Sequence, residues 1–391
     1  MGQGLQISRD QENGLNRIRT LVPLLISLVV IGCSLNSPGG GDRDDREIVF
    51  VTTGSSFAPL IFVEGTPEIL WTFSDGSTSD SSNPSVSFGT EERREQRLKV
   101  TPWSALRGID IGYDGGDGGS LDLALYANAD QSVAEVHNLD LVASSLEVWC
   151  SSYNKIQSLD FSNFINLNTI ECFKSRTLKS VDLTNCPKLQ RACFEDCDLA
   201  SLDLTGCPDL QDLRGAENSY PTIAFADPMP ALWHLCIDWN PQMTARDLFA
   251  STDKFPQVRQ LLIWHCNQTG VLRVPKTGEG NVFIEAYGNF YTSADFRGSL
   301  RSKSPTGVIR LQDNQLTSIN IDGCDQITYL DLTNNLLDAA AISYVLETLD
   351  ALGQEHGEAY LAGTGNSAPP PEAAAAIASL TAKGWTVVVN H

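Results

Sequence analysis

Between residues 158 and 210 one pattern of apolar and polar positions occurs three times: SLDFSNFINL at 158–167, SVDLTNCPKL at 180–189 and SLDLTGCPDL at 201–210. A fainter copy, SINIDGCDQI, occupies 318–327. A return every 21–22 residues predicts units that stack on one another rather than fold alone. Burying about five aliphatic side chains stabilises one unit by roughly 10 kcal/mol gross. Ordering about twenty residues costs more, at roughly 1–2 kcal/mol per residue. Each rung therefore holds only between neighbours.

From Leu106 onward the frame Leu-x-x-Leu-x-Leu-x-x-Asn-x-Leu can be laid down repeatedly. It fits Leu210, Leu213, Gly215, Asn218 and Tyr220, then Leu232, Leu235, Ile237 and Asn240, then Val258, Leu261, Ile263 and Cys266. It continues through Ile284, Ala286, Asn289 and Tyr291, through Ile309, Leu311, Asn314 and Leu316, and through Ile327, Leu330, Leu332, Asn335 and Leu337. Alternate aliphatic residues point inward from a short parallel strand, and a buried Asn amide satisfies turn backbone that would otherwise be orphaned. The pattern resembles the bacterial leucine-rich repeat family, in the variant whose convex side is also extended. That resemblance implies a mostly-β to α/β solenoid with a parallel concave sheet, and it covers residues 102–337. The family includes adhesins such as internalins, so it also implies recognition of another macromolecule.

The array is interrupted and capped. Repeat starts stretch to 26, 23 and 25 residues after Leu232, and 241–255 in the first long unit predicts a short helix. GYDGGDGG at 112–119 breaks the weak early units. Asp114 and Asp117 lie within it, and a plain glycine-rich loop is preferred there to a calcium loop, because the nonapeptide repeat is missing. After Leu337, apolar spacings of three and four with a Gly stop predict a helix over 338–353. A strand, a second helix and a closing strand begun by Gly384-Trp385 complete a C-terminal cap over 338–391.

At the other end, Arg9, Arg17 and Arg19 precede an apolar run, Leu21 to Gly32, too short for a comfortable membrane span. It ends in Val30-Ile31-Gly32-Cys33 and resembles a bacterial lipoprotein signal. That resemblance implies removal of 1–32, acylation of Cys33, a flexible tether over 33–47 and, with Ser34 following, an outer-membrane location if there are two membranes. An ordinary signal peptide or a short anchor helix with an incidental cysteine is the alternative. Residues 48–101 read instead as short strands between Gly, Pro and Ser turns. The stretch Trp71-Thr-Phe-Ser-Asp75-Gly76, followed by NPSVSF at 83–88, resembles the PKD-like immunoglobulin-type sandwich. A β cap of the solenoid is the alternative there.

Composition narrows the function. A net charge of −21 and the absence of a basic, aromatic-interleaved stripe exclude nucleic-acid binding. Of ten cysteines, Cys186, Cys207 and Cys324 share one repeat position, and Cys197 and Cys266 another. They read as small buried ladder residues, with a bridge between Cys186 and Cys207 as the lesser possibility. No cysteine or histidine cluster has zinc spacing.

Residues flanking the inward leucines form the candidate site. One end offers Glu171, Lys174, Arg191, Glu195, Asp196, Asp212, Arg214 and Glu217. The other offers Trp233, His234, Asp238, Trp239, Trp264, His265, Phe283, Glu285, Tyr287 and Tyr329, an aromatic strip suited to a protein, peptide or glycan ligand. Packing of these aromatics on residues 241–257 is the alternative. His234 and His265, on neighbouring rungs beside Asp238, are weighed as acid–base or metal groups. Nothing completes such a site, so neither catalysis nor a cofactor nor a metal is expected. The reading is a monomeric envelope lipoprotein that binds a macromolecule. A ligand-free envelope spacer and an accessory subunit of an envelope hydrolase are its rivals.

Overall fold

A computed structural model of the chain describes residues 46–112, 133–244, 247–275, 282–299 and 307–391. The leader, Cys33, most of the tether and the loop holding Asp114 and Asp117 lie outside the described residues. Among the described residues, no helix is long and apolar enough to cross a membrane.

Twelve parallel strands, running from 106–110 through 212–214, 234–236, 260–262 and 282–285 to 386–388, form one long sheet. The antiparallel strand Leu60–Val63 closes its N-terminal edge. On the opposite side lie shorter parallel sets: 158–160 with 180–182, 202–204 with 223–225, and 269–273 with 290–295 and 318–320. The chain is thus a mostly-β parallel solenoid of leucine-rich-repeat type, as the frame predicts, with extended segments on its second side.

Register follows from side-chain alternation. Trp149, Ile170, Ala192, Leu213, Leu235, Leu261, Ile284, Ile309 and Leu330 pair turn upon turn. All of them are buried. The amide ladder also forms. Asn240 Nδ2 donates to the carbonyls of Gly215 on the preceding turn (3.0 Å), Ile237 (2.8 Å) and Asp238 (3.2 Å). Asn218, Asn289, Asn314, Asn335 and Asn366 repeat the arrangement, while Ser175, Cys197 and Cys266 donate from the same column. Cys186, Cys207 and Cys324 likewise donate to the carbonyls of Phe161, Leu183 and Phe296 one turn back. All nine described cysteines are free thiols, so no bridge joins Cys186 to Cys207.

Inside the coil, volumes trade between two positions five residues apart. Phe194, Leu311 and Leu332 are each followed by a buried leucine, Leu199, Leu316 and Leu337. Gly215 and Ala286 occupy the same register position, and each is followed by a buried tyrosine, Tyr220 and Tyr291. A Cβ added at Gly215 would stand 3.4 Å from Tyr220 Oη and 3.5 Å from its Cε2, so the phenol fills the room that the glycine leaves.

The helix expected within 241–255 does not form among its described residues, which make turns and bends. Met243, Phe249 and Phe255 are its buried apolar residues. Their six-residue spacing cannot line one helix face. Phe255 packs instead against Phe249 and Phe225, at ring separations of 5.6 and 5.1 Å.

The C-terminal cap comprises α1 (Ala339–Leu352), strand 358–360, α2 (Ala374–Ala382) and strand 386–388. Asp338 accepts the Ala341 amide at the start of α1, and Gly353 ends it at φ +77°. At the other end, strands 78–79, 68–72, 94–101, 48–52 and 133–137 form an antiparallel sheet over Phe50, Phe57, Trp71, Phe73 and Leu98. Asp75 accepts the Ser77 amide in its hairpin turn. Backbone pairing crosses residue 101 twice: strand 60–63 joins the solenoid sheet, and strand 133–137 joins this one.

Candidate functional site

Because strand side chains alternate, the residues beside each inward leucine face away from the core and form continuous columns along the long sheet. One column runs Thr169, Arg191, Asp212, His234, Gln260, Phe283, Val308 and Tyr329. The next runs Cys150, Glu171, Cys193, Arg214, Cys236, Leu262, Glu285, Arg310 and Asp331. Two residues beyond lie Glu195, Asp238, Trp264 and Tyr287. A last column comprises Tyr153, Lys174, Asp196, Glu217, Trp239, His265, Asp313 and Asn334, all at positive φ. Gly288 continues that column at φ +64°, where a Cβ would stand 2.3 Å from the His265 ring. Glycine is what lets the imidazole lie across its turn.

The charged end is paired in part. Arg191 pairs with Glu171 (3.0 Å), Arg214 pairs with Asp212 (3.4 Å), and His234 Nδ1 lies 2.6 Å from Asp212. Burial alone would raise the Asp212 carboxyl, yet the His234 hydrogen bond and the charges of His234, Arg214 and Arg191 hold it well below the ordinary carboxylate range. Glu285 bonds to Arg310, but burial prevails there and raises its pKa. Among the described residues Asp238 has no cationic partner: it accepts the Cys236 thiol at 3.0 Å. Burial, with Glu195 and Glu217 nearby, pushes its pKa up to about 8. Asp238 and Glu285, both assigned to the binding strip, are only 4% and 6% exposed, so neither presents an open carboxylate.

The aromatic strip is brought together. Trp239 lies 4.5 Å from His265 between ring centroids, His265 meets Tyr287 edge-on at 5.7 Å, and Tyr287 stacks on Trp264 at 5.3 Å. Trp239 is 50% exposed, while Trp233, Trp264, His265, Phe283, Tyr287 and Tyr329 are partly exposed. Trp233 lies just outside the strand columns, under the Arg259 guanidinium at 5.0 Å and beside His234. The two histidines do not converge: His234 is held at Asp212, whereas His265 lies among rings beyond the strand end. Among the described residues, no three His, Cys, Asp or Glu side chains form a metal-binding group.

Leu262, Val308 and Tyr360 also face outward, as do Cys150, Cys193 and Cys236. Sequence reading passed over them because aliphatic residues and cysteines in the frame look like core. Strict two-residue alternation from the inward leucines is the signal that finds them.

No protein-family profile matches the chain, and no curated protein matches it. Among solved structures it is similar to the functional domain of InlJ from Listeria monocytogenes, which includes a cysteine ladder. Identity is 20% and the TM-score 0.42, with 64% of this chain and 43% of that one covered. The chain therefore spans less than half the length of that neighbour.

Proposed function

We propose that the chain is a non-enzymatic recognition module of the bacterial cell envelope, binding a protein ligand through the outward face of its long sheet. One observation carries the reading. Between residues 234 and 360 the outward columns expose Trp239, Leu262, Phe283, Val308 and Tyr329 on one continuous parallel sheet. Aromatic side chains on such a support bury large area at small entropic cost. The charged end of the face, where Arg191 pairs with Glu171 and Arg214 with Asp212, frames this apolar end as a polar rim frames an interface. The leader ending at Cys33 supports export and lipid anchoring to the envelope, and the tether would hold the solenoid clear of the bilayer.

A photo-crosslinking amino acid placed at Phe283 or Tyr329 of the full chain, on producing cells, tests the face. Adducts with one protein at both positions, and none from a control at Ser180 on the opposite side, are expected. Equal yields from both sides would refute the assignment. Incorporation of labelled palmitate that disappears in Cys33→Ala tests the anchor, and a wild-type chain that takes up no label excludes it.

A further inference from the structure

We propose that Trp239 and Glu217 form a seat for one cationic side chain, arginine or lysine, of the bound protein. The inference rests on reading the outward face as a recognition surface, and it supplies the chemistry of one anchor.

Several rings on this face are covered by the chain's own cations. Lys174 lies over Tyr153 at 5.6 Å and over Phe173 at 4.9 Å, Arg259 over Trp233 at 5.0 Å, and Arg310 over Tyr329 at 5.1 Å. Trp264 and Tyr287 cover each other. Trp239, like Phe283, has no cation over it among the described residues, and it is the more exposed of the two, half open and touching His265. An indole face is the strongest of the side-chain cation-binding surfaces.

Glu217 occupies the same column one turn earlier, exposed and outside any salt bridge among the described residues. The nearby cation, Arg176, is forked onto Asp196 at 2.9 and 2.7 Å. Both seat residues stand on fixed backbone. The Glu217 amide donates to the Asp238 carbonyl and the Trp239 amide to the Trp264 carbonyl, each at 3.0 Å. An indole face with no cation over it and a carboxylate outside any salt bridge, both among the described residues of a chain of net charge −21, are complementary to a cation. Guanidinium fits better than ammonium, because it lies flat on the ring while still donating to a carboxylate.

The test is a titration of the 15N-labelled full chain with acetyl-Gly-Arg-Gly-amide and with its uncharged citrulline counterpart. The Trp239 indole resonance is assigned by its loss in Trp239→Phe. The arginine peptide is expected to shift that resonance and saturate in the millimolar range, with the citrulline peptide at least about fivefold weaker. Glu217→Gln should weaken the arginine peptide about twofold, and Trp239→Leu, followed through the backbone amides around residue 217, should remove the saturable binding. Equal titrations by the two peptides, or a titration indifferent to Trp239→Leu, would overturn the seat. Shifts confined to the Phe283 and Tyr329 region overturn the seat but leave the recognition face standing. The crosslinking experiment judges that face independently.

Discussion

Placing leucine at Gly215 measures how strictly the coil conserves volume within a turn. The glycine's missing side chain is replaced by the Tyr220 phenol, whose Oη and Cε2 would lie 3.4 and 3.5 Å from an added Cβ. The remaining carbons of a leucine would have to enter the ring itself. Overfilling of this kind costs about 1–3 kcal/mol. Tyr220→Leu alone leaves unfilled space above the glycine and costs about 2–4 kcal/mol. The double variant recreates the pairing of Leu311 with Leu316 and of Leu332 with Leu337, both already buried in this chain. It should therefore be destabilised by about 2 kcal/mol less than the sum of the single changes, a coupling typical of residues sharing one cavity. Urea denaturation of the four proteins, followed by far-UV circular dichroism, gives the coupling from the midpoints if the slopes agree. Strictly additive effects would refute the exchange of volume and leave the Gly–Tyr pairing a coincidence of the frame.

Tyr220 Oη is buried without a hydrogen-bond partner, so Tyr220→Phe should leave stability unchanged or raise it by about 1 kcal/mol; a clear loss would reveal a hidden partner. Asn289→Ala removes three donated bonds to carbonyls and strands the Cys266 and Gln268 amides. A cost of about 3 kcal/mol in denaturant midpoint is expected, and one below about 1 kcal/mol would deny the ladder its role. The Asp238 pKa, raised to about 8 from an ordinary 3.8, makes the folded state the better proton binder between those values. Stability is then lost as pH rises from about 4 to 8, by up to about 1.4 kcal/mol per unit of displacement. Asp238→Asn should therefore gain on the wild type steadily across that range, and a pH-independent difference would contradict the assignment. Burial raises the Cys186, Cys197, Cys207 and Cys266 thiols to about 12, so these four should react with a maleimide only after unfolding.

The solenoid was legible because its periodicity is enforced twice. Inward aliphatics repeat because each must meet its neighbour on the next turn, and Asn, Ser or Cys recurs because each turn leaves the same carbonyl orphaned. Two independent constraints at one spacing leave a trace that a single sequence can show. Residues 241–255 carry neither constraint, and there a helix was expected where Met243, Phe249 and Phe255 instead pin a turn-rich excursion. The site was only half legible for a related reason. Alternation says which residues leave the core, but exposure is decided by what the next turn places beside them. Asp238 and Trp239 are adjacent in sequence, yet one is covered and the other is half open, because their neighbours come from turns more than twenty residues away. The same geometry explains why the outward face tolerates so many ionised groups. A carboxylate in one turn finds its cation in the same or the next, as Glu171 finds Arg191 and Glu285 finds Arg310. Where no salt bridge forms among the described residues, as at Glu217 beside Trp239, the surface keeps a negative charge that favours a cation.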